Sequence, residues 1–178
     1  DIEFSRGKTT KKLNEIGEKK ATGSKTRFWP DPEIFEETEY DYATLQHRLR
    51  EMAFLTKGIE ITLEDKRPGE KKKEVFHYEG GLKEFVRHLN SNKDKVHESV
   101  FYFEYIDKSQ EVEVALQYTD KYNELLLSYA NNINTLEGGS HLAGFKSALT
   151  KVMNDYAKKN NIVKEGESLS GEDVREGL

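Results

Sequence analysis

At 178 residues the chain can hold one ordinary domain, or one domain and part of another, with enough core to fold without staples. It has no cysteine, which excludes disulfides, thiolate zinc sites and cysteine nucleophiles together and suits a reducing compartment. Lys and Arg number 28 against 33 Asp and Glu, and the resulting net charge of -5 removes the global basic footprint of a free-standing nucleic-acid binder, leaving room for a local basic surface.

The opening Asp1-Ile2-Glu3-Phe4 alternates as a strand does, so the chain is expected to begin inside a larger protein. Short strands are expected from Ile2 to about Trp29, with Ser5-Arg6-Gly7-Lys8 as a turn and Lys19 to Ser24 as a polar loop. Pro30 and Pro32 stop the last of them, which places a domain boundary near Glu36. Beyond it Tyr42, Leu45, Leu49, Met52 and Ala53 recur at helical spacing, with Asp41 as cap and Gly58 just past the end. Ile59, Ile61 and Leu63 alternate with polar residues as a strand with one wet face, and Asp65 to Gly69 turns the chain. Glu74 to Tyr78 returns as a strand, and Glu79-Gly80-Gly81 opens a short helix carrying Leu82, Phe85, Val86 and Leu89.

Three strands are expected next, at Val100 to Tyr105, Val112 to Tyr118 and Leu125 to Ala130. The Leu125-Leu126-Leu127 run of the third is apolar enough to be covered on both faces. Asn131 to Phe145 joins that strand to a long helix through Gly138 and Gly139, with Ser140 as the cap. The helix carries Leu142, Phe145, Leu149, Val152, Met153 and Tyr156 on one stripe, should lie across the sheet, and ends at Asn160-Asn161. Ser170 to Gly177 reads as a capped single turn, and a further strand is expected after Leu178. The fold class is α+β: a mostly antiparallel sheet with helices on one side, preceded by strands that lack their own helices.

Chemistry is sparse. The five histidines, His47, His77, His88, His97 and His141, show no i, i+4 pair and no H-E-x-x-H, so no metal site is expected. The glycine pair lacks a phosphate-loop or dinucleotide pattern and reads as punctuation. His141, in the first turn of the long helix, is best read as bonded to its loop backbone. No catalytic centre emerges from spacing alone. Lys146, Lys151, Lys158 and Lys159 with Lys71 to Lys73 could line a phosphate-facing surface, although at this charge balance solvated lysines are the better reading.

Three segments together resemble the B subunit of bacterial DNA gyrase or the equivalent topoisomerase IV subunit. They are Thr22 to Asp31, then Arg48 to Gly58 with His77 to Gly81, and finally Asn131 to Phe145 with Gly171 to Leu178. The resemblance implies that residues 1–35 are the last strands of a GHKL-type ATP-binding domain. It makes residues 36–178 a transducer domain resembling the second domain of ribosomal protein S5. It implies ATP and Mg2+ in the parent protein but none bound to this piece, whose catalytic and metal-binding counterparts lie upstream and which is therefore expected to be inactive alone. Its implied partners are double-stranded DNA, a gyrase A-type cleavage subunit and a second B subunit, in the bacterial cytoplasm and with no membrane. Ser24 matches a threonine whose hydroxyl helps hold the adenine, and Lys146 matches a position, often arginine, that points into the DNA cavity. The alternatives are a non-enzymatic nucleic-acid-binding module of S5-like fold and a MutL-type GHKL repair protein.

Overall fold

The computed structural model describes residues 1–69 and 71–178, which form two compact units, Asp1–Asp41 and Tyr42–Leu178. In the first unit, β1 (Glu3–Ser5) and β2 (Lys8–Lys11) form an antiparallel hairpin. Arg6 and Gly7 both adopt positive φ, 48° and 75°, the geometry of a two-residue turn whose twist matches the strands. Arg6 Nε reaches Asp31 Oδ2 at 3.0 Å and its terminal nitrogen reaches Glu33 Oε1 at 3.0 Å. The Asp31 carbonyl in turn accepts the amides of Ile34 and Phe35 just beyond the prolines. The strands expected up to Trp29 do not extend past this hairpin among the described residues. Leu13 and Ile16 lie 78% and 77% exposed, so nothing rewards ordering that charged stretch as a ladder.

The second unit is built around α1 (Tyr42–Leu55), which turns Ala53 and Phe54 fully inward. The expected stripe holds at Tyr42, Leu45, Leu49 and Ala53 and departs at one residue: Met52 is exposed and Glu51 beside it is buried. Gly58, at φ +80°, releases the chain into β3 (Glu60–Asp65), which pairs with β4 (Lys72–His77) in register from Glu60 opposite His77 to Asp65 opposite Lys72. Ile61, Leu63 and Phe76 face the core and the alternate residues face water, as the period of two requires. α2 (Gly81–Leu89) then brings Phe85 against Phe54 at 4.9 Å between ring centroids, while Tyr78 stacks on the same ring at 3.6 Å. This aromatic pile lies at the buried Phe54 ring. Gln46 Nε2 and Arg50 both donate to the Glu74 carboxylate, at 2.5 and 2.9 Å, and fasten α1 to β4.

β5 (Phe101–Asp107) and β6 (Gln110–Leu116) form a second long hairpin, and α2 packs beside β6. Asn90 and Gln117, both buried, bond to each other at 3.3 Å, and Gln117 Nε2 also donates to the His97 carbonyl. The strand expected at Leu125 to Ala130 is reduced to β7 (Tyr129–Ala130), paired with β8 (Ile133–Asn134) across Asn131 and Asn132 at φ 49° and 64°. Leu125 and Leu127 are 45% and 39% exposed rather than covered on both faces, and the Leu125 amide donates instead to the Leu178 carbonyl at 2.7 Å. Among the described residues the antiparallel pairing therefore comes as four two-stranded ladders within an α+β arrangement.

α3 (Ser140–Lys159) begins one residue earlier than its expected cap allows. Gly139 occupies the cap position and Ser140 lies inside the helix, so the hydroxyl does not cap it. The helix packs chiefly on α4 (Gly171–Arg175) rather than across a broad sheet, burying Ala157 and leaving Val152 and Tyr156 exposed. α4 has the capping box expected of its sequence: Ser170 Oγ accepts the Asp173 amide while Asp173 accepts the Ser170 amide. Among the described residues no helix is long and apolar enough to cross a membrane.

The end of the chain is stitched down tightly. The Gly177 carbonyl accepts the Thr119 amide at 2.8 Å and the Thr119 hydroxyl at 3.1 Å, and the Tyr118 hydroxyl donates to the Val174 carbonyl at 2.8 Å. Gly177 sits at φ +76°, and a Cβ there would meet the Thr119 carbonyl oxygen at 2.4 Å. Gly177→Ala adds to that clash a left-handed penalty of about 1–2 kcal/mol and should visibly lower the urea midpoint of unfolding. Tyr129→Phe removes the hydroxyl that donates to buried Glu51 Oε1 at 2.9 Å, and should cost about 1–3 kcal/mol in the same measurement.

Candidate functional site

Glu124, in the segment between β6 and β7, forms the most connected ionic cluster near a residue nominated from the sequence. Lys146, in the second turn of α3, places Nζ 2.5 Å from Glu124 Oε1, and Arg175, in the last turn of α4, places Nε 2.6 Å from Glu124 Oε2. One carboxylate thus bridges two helices. The bond from Lys146 holds the Glu124 carboxyl below the usual carboxylate range, opposed by partial burial and reinforced by Arg175. The cluster borders a depression of about 480 Å³ lined by Tyr122, Asn123, Glu124, Glu172, Arg175 and Glu176. Lys146 is therefore not a free cation awaiting phosphate; its charge is already matched inside the chain.

Ser24 lies exposed in the irregular stretch after β2, in the first unit. Lys151, Lys158 and Lys159 are exposed along α3, whereas Lys71 to Lys73 lie at the end of the β3–β4 ladder with Glu64, Asp65 and Lys66 around a depression of about 380 Å³. Arg67 holds the Asp65 carboxyl down at about 2 through side-chain and backbone hydrogen bonds, so that end of the hairpin is mixed in sign.

A second cluster forms where the sequence suggested no role. Buried Glu51 accepts from the Tyr129 hydroxyl at 2.9 Å through one oxygen and from Arg48 at 2.8 Å through the other, with His47 Nε2 at 3.6 Å. Burial first, then this carboxylate, push the Tyr129 phenol up. Asn132 Nδ2 donates to Thr56 Oγ1 at 3.1 Å, so the β7–β8 turn is tied to the C-terminal end of α1 at two points. Arg48 and His47 at three and four residues before Glu51 were a legible hint of a paired carboxylate. Glu124 and Arg175 offered none, being 51 residues apart.

Three further histidines make local contacts within the second unit. His97 donates from Nδ1 to the Ser99 carbonyl at 2.6 Å and accepts the Tyr118 amide at Nε2 at 3.0 Å; His77 contacts the Ile59 carbonyl. His141 faces a loop side chain rather than loop backbone, with Nε2 3.4 Å from the Thr135 hydroxyl, which in turn meets Ser128 Oγ at 2.6 Å. Glu104, Glu111 and Glu113 converge on the β5–β6 ladder because Glu104 stands opposite Glu113, but all three are exposed carboxylates. Burial and the bond to Glu113 push the Tyr102 phenol beside them up to about 12. Among the described residues nothing converges as acid, base and nucleophile around a common point.

This arrangement has known relatives. The family model described as DNA gyrase B matches residues 81–178. The DNA gyrase B protein of Clostridium acetobutylicum is 58% identical over 98% of this chain, and that of Bacillus mycoides is 53% identical over 98% of it. The chain spans 28% and 44% of those two proteins. Among solved structures, the 43K ATPase domain of Thermus thermophilus gyrase B, in complex with an aminocoumarin, superposes with a TM-score of 0.75 at 38% identity, covering 99% of this chain and 48% of that one. A topoisomerase IV ATP binding domain from Francisella tularensis shares the fold at a TM-score of 0.73 and 23% identity, covering 96% of this chain and 46% of that one. These relatives support the gyrase B resemblance and not the MutL-type or S5-like binding-module alternatives. Matched by that family model over more than half its residues, and by gyrase B proteins along nearly its whole length, the chain belongs to the DNA gyrase B family.

Proposed function

We propose that this chain works as part of the ATPase subunit of a bacterial type IIA DNA topoisomerase of gyrase type, relaying ATP binding and hydrolysis to DNA strand passage and supercoiling. The observation that carries the reading is the fold match along 99% of the chain to a structure described as a gyrase B ATPase domain. In this reading residues 1–35 end the GHKL ATP-binding domain and residues 36–178 form most of the transducer. ATP and Mg2+ serve the whole subunit, a second copy of that subunit pairs through the ATPase domain, and a gyrase A-type partner cleaves double-stranded DNA in the cytoplasm. This chain's own contribution is mechanical.

Residues 42–178 suit a relay because their elements are joined by polar ties as well as by packing. Glu51 fixes α1 to β7, Glu74 fixes α1 to β4, and Glu124 fixes α3 to α4. The Glu51 and Glu74 ties are short and paired at both oxygens, so movement of one element is passed on rather than absorbed. Ser24 is assigned to the adenine side of the nucleotide site, where its hydroxyl can donate to or accept from the base or a bound water. Lys146 is assigned to the cavity that admits DNA.

In the complete subunit assembled with its cleavage partner, the linking number of closed circular DNA should change only with ATP and Mg2+. Tyr129→Phe should lower supercoiling about fivefold or more relative to ATP hydrolysis, the size of an ordinary coupling free energy. An assembly that never changes linking number with ATP overturns the proposal. Ser24→Ala should weaken ATP binding by roughly two- to twelvefold, the worth of one neutral hydrogen bond, in a direct titration of the same subunit.

A further inference from the structure

We propose that Lys146 and Arg175 form a two-cation phosphate-receiving site whose present occupant is Glu124, and that exchange of this carboxylate for a DNA phosphate governs how the α3 face engages duplex DNA. The proposal rests on the assignment of Lys146 to the DNA cavity and adds to it a second cation and a competing anion. The geometry is that of a carboxylate standing where a phosphodiester could stand: each oxygen takes one cation, at 2.5 Å from Lys146 Nζ and 2.6 Å from Arg175 Nε. The two unesterified oxygens of a phosphodiester can be shared between two cations in the same way. The three side chains come from three separate elements, so no one helix would dictate this convergence.

Access and charge point the same way. The side chains of Lys146 and Glu124 are 32% and 31% exposed, so both ends of that pair reach solvent, and an ion pair in that position is weak enough to exchange. Arg175 is more enclosed, at 15%, and Gly171 leaves room for it: a Cβ there would lie 2.7 Å from its Nη1. Glu172 and Glu176 line the adjoining depression. While Glu124 remains, three carboxylates face two cations and a phosphate is repelled. With its charge withdrawn, the balance becomes two against two, and both cations lose their direct partner and are open to an incoming anion. Glu124 is thus the group that decides whether Lys146 counts as a positive charge to DNA.

The test is a double-mutant cycle on the full 178-residue chain. A short fluorescent duplex DNA is titrated across a salt series with wild type, Glu124→Gln, Lys146→Met and the double variant. Glu124→Gln should tighten binding about three- to fivefold and steepen the log–log salt slope by about 0.9, the signature of one added phosphate contact. Lys146→Met should change little in the wild-type background and abolish the gain in the Glu124→Gln background. If Lys146→Met weakens wild type as much as it weakens Glu124→Gln, the lysine is already available and the exchange is wrong, although the DNA-facing assignment survives. If it changes neither, the DNA-facing assignment itself fails. Glu124→Asp guards against a misfolded Gln variant, which circular dichroism identifies: its shortened carboxylate should release one cation and give an intermediate gain, and wild-type affinity with native dichroism would overturn the proposal.

Discussion

One turn of α1, from Glu51 to Phe54, carries the attachments on which the rest of residues 42–178 depends. Phe54 is buried between Tyr78 and Phe85 and joins the helix to α2 and to the end of β4. Met52 turns outward, and the residue before it buries a charge on the other flank, where Glu51 meets Tyr129 and Arg48. A buried carboxylate is tolerated only when every oxygen has a donor, so its partners are fixed in direction as well as distance. Apolar stacking on one side supplies affinity without direction; the ionic side supplies direction.

The same division of labour recurs down the chain. The Asn90–Gln117 pair orients α2 against β6, and the Thr119–Gly177 stitch orients α4 against the segment after β6. The apolar faces are modest: Phe101, Phe103 and Tyr105 on β5 are all more than half exposed, so the long hairpin is shaped by its ladder and its turn more than by a core. A unit built this way depends on hydrogen-bond geometry at a few joints. Loosening a joint frees local motion before it unfolds the unit.

The sequence disclosed most where local rules dominate. The Arg6-Gly7 turn, the helix at Tyr42–Leu55, the break at Gly58, the glycine pair that opens α2 and the Ser170 capping box could all be read from neighbours a few residues apart. It misled where a partner had to be supplied from far away. Leu125-Leu126-Leu127 looked like a doubly covered strand, yet its first amide is claimed by the Leu178 carbonyl. Ser140 looked like a cap, but the positive φ of Gly138 and the extended Gly139 start the helix earlier. The candidate site followed the same rule: Lys146 was nominated through resemblance, whereas the carboxylate that neutralises it lies 22 residues before it, in a segment with no regular pattern.

The paired asparagines of the β7–β8 turn have a consequence for how tolerant this region is to substitution. Both adopt left-handed backbone, which asparagine accepts and glycine accepts more readily still. Backbone preference alone would therefore welcome glycine at Asn132. Its amide, however, grips Thr56 at the far end of α1. A glycine would preserve the hairpin's shape while removing one of its two ties to the helix and leaving Tyr129 to hold the other, so this position is held by the reach of its side chain and not by the bend it makes.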